Sequence, residues 1–142
     1  MPSPARDSTA PDLSGWASAL GRVGFAMLFL WGGYEKLAYM DGNIGYMKAH
    51  GMPAPEFLVW PALLVEIVGG ALILIGWKTQ WAALALFAYT IPVTFIFHAY
   101  WSVPVDQALD QQVQFMKNLA ILGGLLYVAA HGSGRFALDR SG

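Results

Sequence analysis

The sequence contains no cysteine, which excludes disulfides, thiol catalysis, iron–sulfur ligation and c-type haem attachment. Charge is nearly as scarce. Of 142 residues, 12% are Asp, Glu, Lys or Arg, against about 25% in a soluble domain, and none lies between Thr79 and Val105. A formal net charge of −1 offers no basic surface to nucleic acid. Only His50, His98 and His131 supply imidazoles. No two of them share a helix at ligand spacing, so neither a metal nor a haem site follows. No flavin motif is present either.

What is there is apolar: 56% of the residues are hydrophobic. Arg22 is the only charge between Leu13 and Tyr34, Glu66 the only one between Phe57 and Trp77, and Lys117 the only one between Gln111 and Gly134. Each window, like the charge-free one, holds a spanning helix of about 20 residues. The expected fold is all-α: an integral membrane four-helix bundle with antiparallel neighbours and both termini on the same side. The spans fall at about residues 16–37, 56–76, 80–100 and 111–130, inside one domain covering 15–131. Membrane lipid is the first partner, and no room is left for a separate soluble catalytic domain.

Residues 1–14, with Pro2, Pro4 and Pro11 and no apolar core, read as a disordered tail and not as a cleaved signal peptide. Residues 38–55, with Gly42, Gly45, Gly51 and Pro53, read as a loop lying on the interface, and residues 132–142 as a polar tail. In the third span Pro92 frees a carbonyl one turn earlier, which a nearby threonine hydroxyl can satisfy. Arg6, Lys78, Arg135 and Arg140 on the terminal side outnumber Lys36 and Lys48 on the other, so the positive-inside bias puts both termini in the cytoplasm.

The entry to the last span carries the densest polar pattern. Gln111, Gln114 and Asn118 fall on one helical face with Lys117 beside them, and an ammonium at mid-bilayer costs at least about 2.5–3.5 kcal/mol. That stripe must therefore meet protein or water. Counting about 1.5 Å per residue from the outer ends puts Lys36 and His98 near the interface, Lys117 and Asn118 about 8–10 Å deep, and Glu66 about 13–15 Å deep. Glu66 reads either as a buried ion pair with Lys117 or Arg22 that sets helix register, or as a carboxylate that exchanges protons. Lys117 and Asn118 either hold the carbonyl oxygens of a quinone or tie helices together. His98 is a hydrogen-bond donor to a ligand, or an amphipathic anchor beside Tyr100 and Trp101. The six methionines and the phenylalanines are core packing or the wall of a quinone pocket.

Taken together, Gly21-Arg22-Val23, Phe29, Gly32-Gly33-Tyr34-Glu35-Lys36-Leu37, Glu66-Ile67-Val68-Gly69-Gly70, Phe97-His98 and Gln114-Phe115-Met116-Lys117-Asn118-Leu119 resemble the DoxX family. These are small four-helix membrane proteins related to the DoxD-type membrane subunit of thiosulfate:quinone oxidoreductase. The resemblance covers about residues 20–130. It implies a bacterial inner (plasma) membrane protein linked to quinone or sulfur redox chemistry, although the lack of cysteine argues against thiol or persulfide chemistry in this chain. The expected function is a quinone-binding membrane subunit of an oxidoreductase system, with the head group in the outer half of the bundle. Lys117, Asn118, Gln114 and His98 would bind it, Glu66 would relay protons, and Arg22 and Lys36 would tune the field. Electrons would come from a partner oxidoreductase. The rival expectations are a non-catalytic anchor or assembly subunit, and a small transporter built as a homo-oligomer.

Overall fold

Long apolar windows broken by single charges become long helices. The computed structural model describes residues 13–139. They form helices α1 (Leu13–Ala38), α2 (Met40–Ala49), α3 (Pro55–Ile75), α4 (Thr79–Phe97) and α5 (Val105–His131), with one 3-10 turn, Tyr100–Ser102, before α5. No strand occurs among the described residues. The helices α1, α3, α4 and α5 are long and apolar enough to cross a membrane, and they pack in the order α1 on α3, α3 on α4, α4 on α5. Residues 1–12 of the expected tail lie outside the described residues, and Leu13 and Ser14 already belong to α1.

The bundle has two unlike ends. At the termini end, α3 stops at Gly76, whose φ of 69° suits a residue without Cβ. There the Gly76 and Trp77 N–H groups donate to the Ile73 and Leu72 carbonyls. Residues 132–139 of the expected polar tail instead fold back over this end, and residues 140–142 lie outside the described residues. Ser18 Oγ donates to the Ser133 carbonyl at 2.9 Å, and the Asp139 N–H donates to the Gly76 carbonyl at 2.7 Å. Asp139 Oδ2 accepts from Thr79 N–H at 3.0 Å, capping an orphan donor of α4. The packed core, Phe29, Ile73, Ala82, Ala83, Leu86 and Leu125, lies in this half.

At the opposite end sits α2, where the sequence pointed to an interfacial loop. Its two glycines disfavour a helix by about 1 kcal/mol each, yet tertiary context overrides them. The Tyr39 N–H donates to the Glu35 carbonyl and the Asn43 N–H to the Tyr39 carbonyl, which carries the α1 ladder across the break. Asn43 Nδ2 closes over the same two carbonyls at 3.3 and 3.0 Å, and Met47 is buried. Helix α5 begins at Val105, not near 111. Asp106 in its first turn suits the positive end of the helix dipole, so acidic residues that read as a connector are the start of the helix.

Two threonines line the α4 interior. Thr90 Oγ1 donates to the Leu86 carbonyl and Thr94 Oγ1 to the Thr90 carbonyl, both at 2.7 Å. The carbonyl that Pro92 frees is that of Ala88, one turn earlier, so these hydroxyls do not serve it as expected; they hold their own rotamers in the helix grooves.

Candidate functional site

Gly32 and Gly33 of α1 face α3 with nothing but backbone. A Cβ on Gly33 would sit 2.5 Å from Ile67 Cδ1, and one on Gly32 3.2 Å from Glu66 Oε2. Two small residues thus let the helices meet closely enough to seat a carboxylate against α1. The pairings Gly33 with Ile67 and Leu30 with Gly70 also fix the stagger: α3 runs about 10 Å past the last turn of α1 at about 1.5 Å per residue. Helix α2 occupies that overhang and packs on α3.

The stagger decides which cation meets Glu66. Lys36 Nζ donates to Glu66 Oε1 at 3.0 Å and Oε2 at 2.8 Å, and Tyr89 OH donates to Oε1 at 2.7 Å. Glu66 is 7% exposed. Three helices therefore converge on one carboxylate, which makes the charge-assisted bonds that a buried ion requires. An ammonium has three N–H groups, so one on Lys36 is left without a partner among the described residues.

This triad forms the floor of a cavity of about 480 Å³ between α2, α3 and α4. Apolar side chains make the walls: Met47 and Met52 on one side, Leu58, Ala62 and Val65 of α3 on the second, and Val93, Ile96 and Phe97 of α4 on the third. Asn43, Tyr46 and His98 are the other polar lining groups. Tyr46 stacks on Phe97 with ring centroids 5.3 Å apart, and partial burial raises its phenol above the ordinary value, keeping it a neutral donor. His98 Nδ1 lies 3.0 Å from Gln111 Oε1; with that oxygen as acceptor, Nδ1 carries the proton and Nε2 is free.

The expected outer-half cluster is thus reorganised. Glu66, Lys36 and His98 share the cavity, whereas Arg22, Gln114, Lys117 and Asn118 do not line it. Arg22 lies at the termini end, donating from Nη1 to the Leu74 carbonyl at 3.3 Å and from Nη2 to the Phe136 carbonyl. Asn118 Nδ2 donates to Thr94 Oγ1 at 3.0 Å, tying α5 to α4. Lys117 and Gln114 are exposed. Neither Lys117 nor Arg22 is the partner of Glu66; Lys36 is. The depth count misplaced it by treating all helix ends as level, when α1 ends short of α3. Tyr89 was missed altogether. Its signal was a phenol in the middle of a charge-free window, a group that needs a hydrogen-bond partner wherever it is buried.

Among the described residues no group of His, Asp and Glu side chains is placed to hold a metal ion. What the arrangement offers is an apolar chamber with a charged, hydrogen-bonding floor, suited to a flat apolar ligand with a polar edge.

Known proteins share this part of the chain. The DoxX family model matches residues 17–99, which include every residue lining the cavity. Inner membrane protein YphA of Escherichia coli K12 is 31% identical over 121 residues, 85% of this chain and 86% of that protein. Inner membrane protein YqjF of the same organism is 34% identical over 121 residues, 85% and 88% respectively. A Surfeit locus protein 4 homolog of Schizosaccharomyces pombe is 33% identical over 85 residues, 56% of this chain but 28% of that larger protein. No solved structure matches the chain.

Proposed function

The chain belongs to the DoxX family of multi-pass inner-membrane proteins, and from that premise we propose that it is the quinone-binding membrane subunit of an oxidoreductase system. The observation that carries the reading is the 480 Å³ apolar cavity floored by Lys36, Glu66 and Tyr89. A bound quinone supplies two-electron, two-proton chemistry, the electrons being exchanged with a partner oxidoreductase. Lys36 has a spare N–H for a carbonyl oxygen at the floor, and His98 a free ring nitrogen among the lining groups. Glu66 accepts or releases protons there, while the Lys36 ammonium and the Tyr89 hydroxyl hold its carboxylate in place. Met47, Met52 and Phe97 exclude water and take the ring by dispersion.

In this reading Lys36 joins His98 in the head-group role in place of Lys117, Asn118 and Gln114, and Arg22 has no part in it. Asn118 acts at one remove, by steadying α4 through Thr94. With the termini in the cytoplasm, as the positive-inside bias expects, the cavity lies in the periplasmic half of the membrane. Purification in mild detergent followed by solvent extraction is expected to recover quinone. An Ala62→Phe variant, which fills the chamber, is expected to lose it while melting normally. Repeated preparations without quinone would overturn the proposal.

A non-catalytic anchor or assembly subunit is the second reading, favoured by the same ion pair because it ties α1 to α3. It expects Glu66→Gln to lower the melting temperature and leave no turnover to lose. Quinone binding expects the same loss of stability, since the Lys36 ammonium is left without its counter-ion, and in addition a loss of quinone-linked turnover in the complex.

A further inference from the structure

The outer face of α5 carries a pattern that the cavity does not use. Leu109, Val113, Met116, Ala120, Gly123 and Tyr127 recur at alternating steps of four and three, the a/d stripe of a coiled coil. All six are exposed: Leu109 is 70% exposed, Val113 45% and Met116 49%, and a Cβ on Gly123 would meet nothing within 4 Å. Apolar residues facing lipid need no explanation. Lys117 does, because it is exposed near the middle of a spanning helix and makes no hydrogen bond or ion pair among the described residues. A charge in that position is costly unless protein or water receives it.

Its place relative to the stripe says what receives it. With Val113 and Ala120 at a, and Leu109 and Met116 at d, Gln112 falls at g and Lys117 at e. Those positions flank a coiled-coil seam, and in a parallel pair g of one helix meets e five residues on in its partner. Two copies inserted in the membrane with the same topology necessarily present α5 in parallel. Gln112 and Lys117 are separated by that interval, so each ammonium meets the partner helix's amide oxygen, and the symmetry makes the bond twice. Leu109, Gln112, Val113, Met116, Lys117 and Ala120 also line one surface groove of about 450 Å³. Ala120 and Gly123 on the seam permit close approach in the other half.

We propose that this face of α5 is a self-association surface that takes a second copy of the same chain as a parallel, two-fold dimer. It is independent of the quinone reading, since α5 does not line the cavity.

The absence of native cysteine makes the test direct. Single-cysteine variants Val113→Cys and Ala120→Cys, expressed at low level and oxidised in membranes, are expected to give a disulfide dimer. Leu64→Cys, on the exposed face of α3, is expected to stay monomeric. In the Ala120→Cys background, Gln112→Leu and Lys117→Met should each lose the dimer, and Gln112→Glu, which offers the ammonium a carboxylate, should retain or raise it. The proposal is overturned if Ala120→Cys links no more than Leu64→Cys, if it links to a different protein, or if Lys117→Met leaves the dimer unchanged.

Discussion

At the termini end of the bundle Arg22 is 5% exposed and gives its N–H groups to the main-chain carbonyls of Leu74 and Phe136. At the α2 end Lys36 donates its N–H groups to a side-chain carboxylate beneath a cavity. The acceptors differ in what they can do. The Arg22 acceptors are uncharged main-chain carbonyls from the end of α3 and the folded-back C-terminal segment, so the Arg22 site is a clasp, bordered by a cavity of about 500 Å³ between α1 and α5. Even there Arg22 Nε is buried without a partner, which is tolerable because the same guanidinium is bonded at its other two nitrogens. Glu66 is a charged side chain, and in the quinone reading it takes up or releases protons beneath a cavity lined mostly by apolar groups. The same problem, a cation among apolar helices, is met by main-chain acceptors at one end and by a side-chain carboxylate at the other.

The largest effect should come from breaking the ion-paired end. Glu66→Leu leaves the Lys36 ammonium buried without its counter-ion and should cost about 3–5 kcal/mol. The double variant Lys36→Met with Glu66→Leu should recover most of that loss in a thermal melt, yet retain no quinone. If the double variant melts as low as the single one, the pair is not the source of the loss.

Packing tests the contrast next. Leu86 is fully buried in the core of the termini half, and Leu86→Ala should cost about 2–5 kcal/mol. Leu58 borders the cavity and is partly exposed, so Leu58→Ala should shift detergent melting far less. Equal shifts would mean that the two halves are equally packed.

Arg22→Met releases the clasp. Loss of its charge-assisted bonds should cost about 1.5–3 kcal/mol, and limited proteolysis should then cut residues 132–139 faster than in the parent protein. Unchanged cleavage would show that the Ser133 and Asp139 bonds suffice to hold the segment.

The smallest expected effect sharpens the comparison. Tyr89→Phe removes one of the hydrogen bonds on Glu66 for about 0.5–1.5 kcal/mol, while quinone-linked turnover of the assembled system should fall much further. A melt and a rate that move together would favour the assembly reading.

How much of this was legible beforehand follows from which physical quantity each feature depends on. The four spans were readable because hydropathy over about 20 residues is a local sum. The importance of Glu66 was readable because an intramembrane carboxylate needs a partner wherever the helices go. Its partner was not. Counting from helix ends left Lys117 and Arg22 as its candidates, and the stagger that brings Lys36 instead depends on Gly32 and Gly33 meeting Glu66 and Ile67 across two helices. Helix α2 was read as a loop because its glycines argue locally against a helix. Nothing local announces that Asn43 will close over the carbonyls of Glu35 and Tyr39. The folded-back C-terminal segment escaped for the same reason: its bonds to Ser18, Gly76 and Thr79 link opposite ends of the chain.

By itself, then, the sequence determined that the protein is a helical bundle in a membrane, how many times it crosses, and which few ionisable groups must find company there. Those properties follow from transfer free energies, which each segment carries with it. Only the tertiary structure decided which groups meet, that one cation is paired with a carboxylate beneath a cavity while the other is clasped by main-chain carbonyls, and that Lys117 is left facing outward. Those outcomes turn on shifts of a few ångströms between helices, set by side chains fitting across the gap and invisible along any one of them.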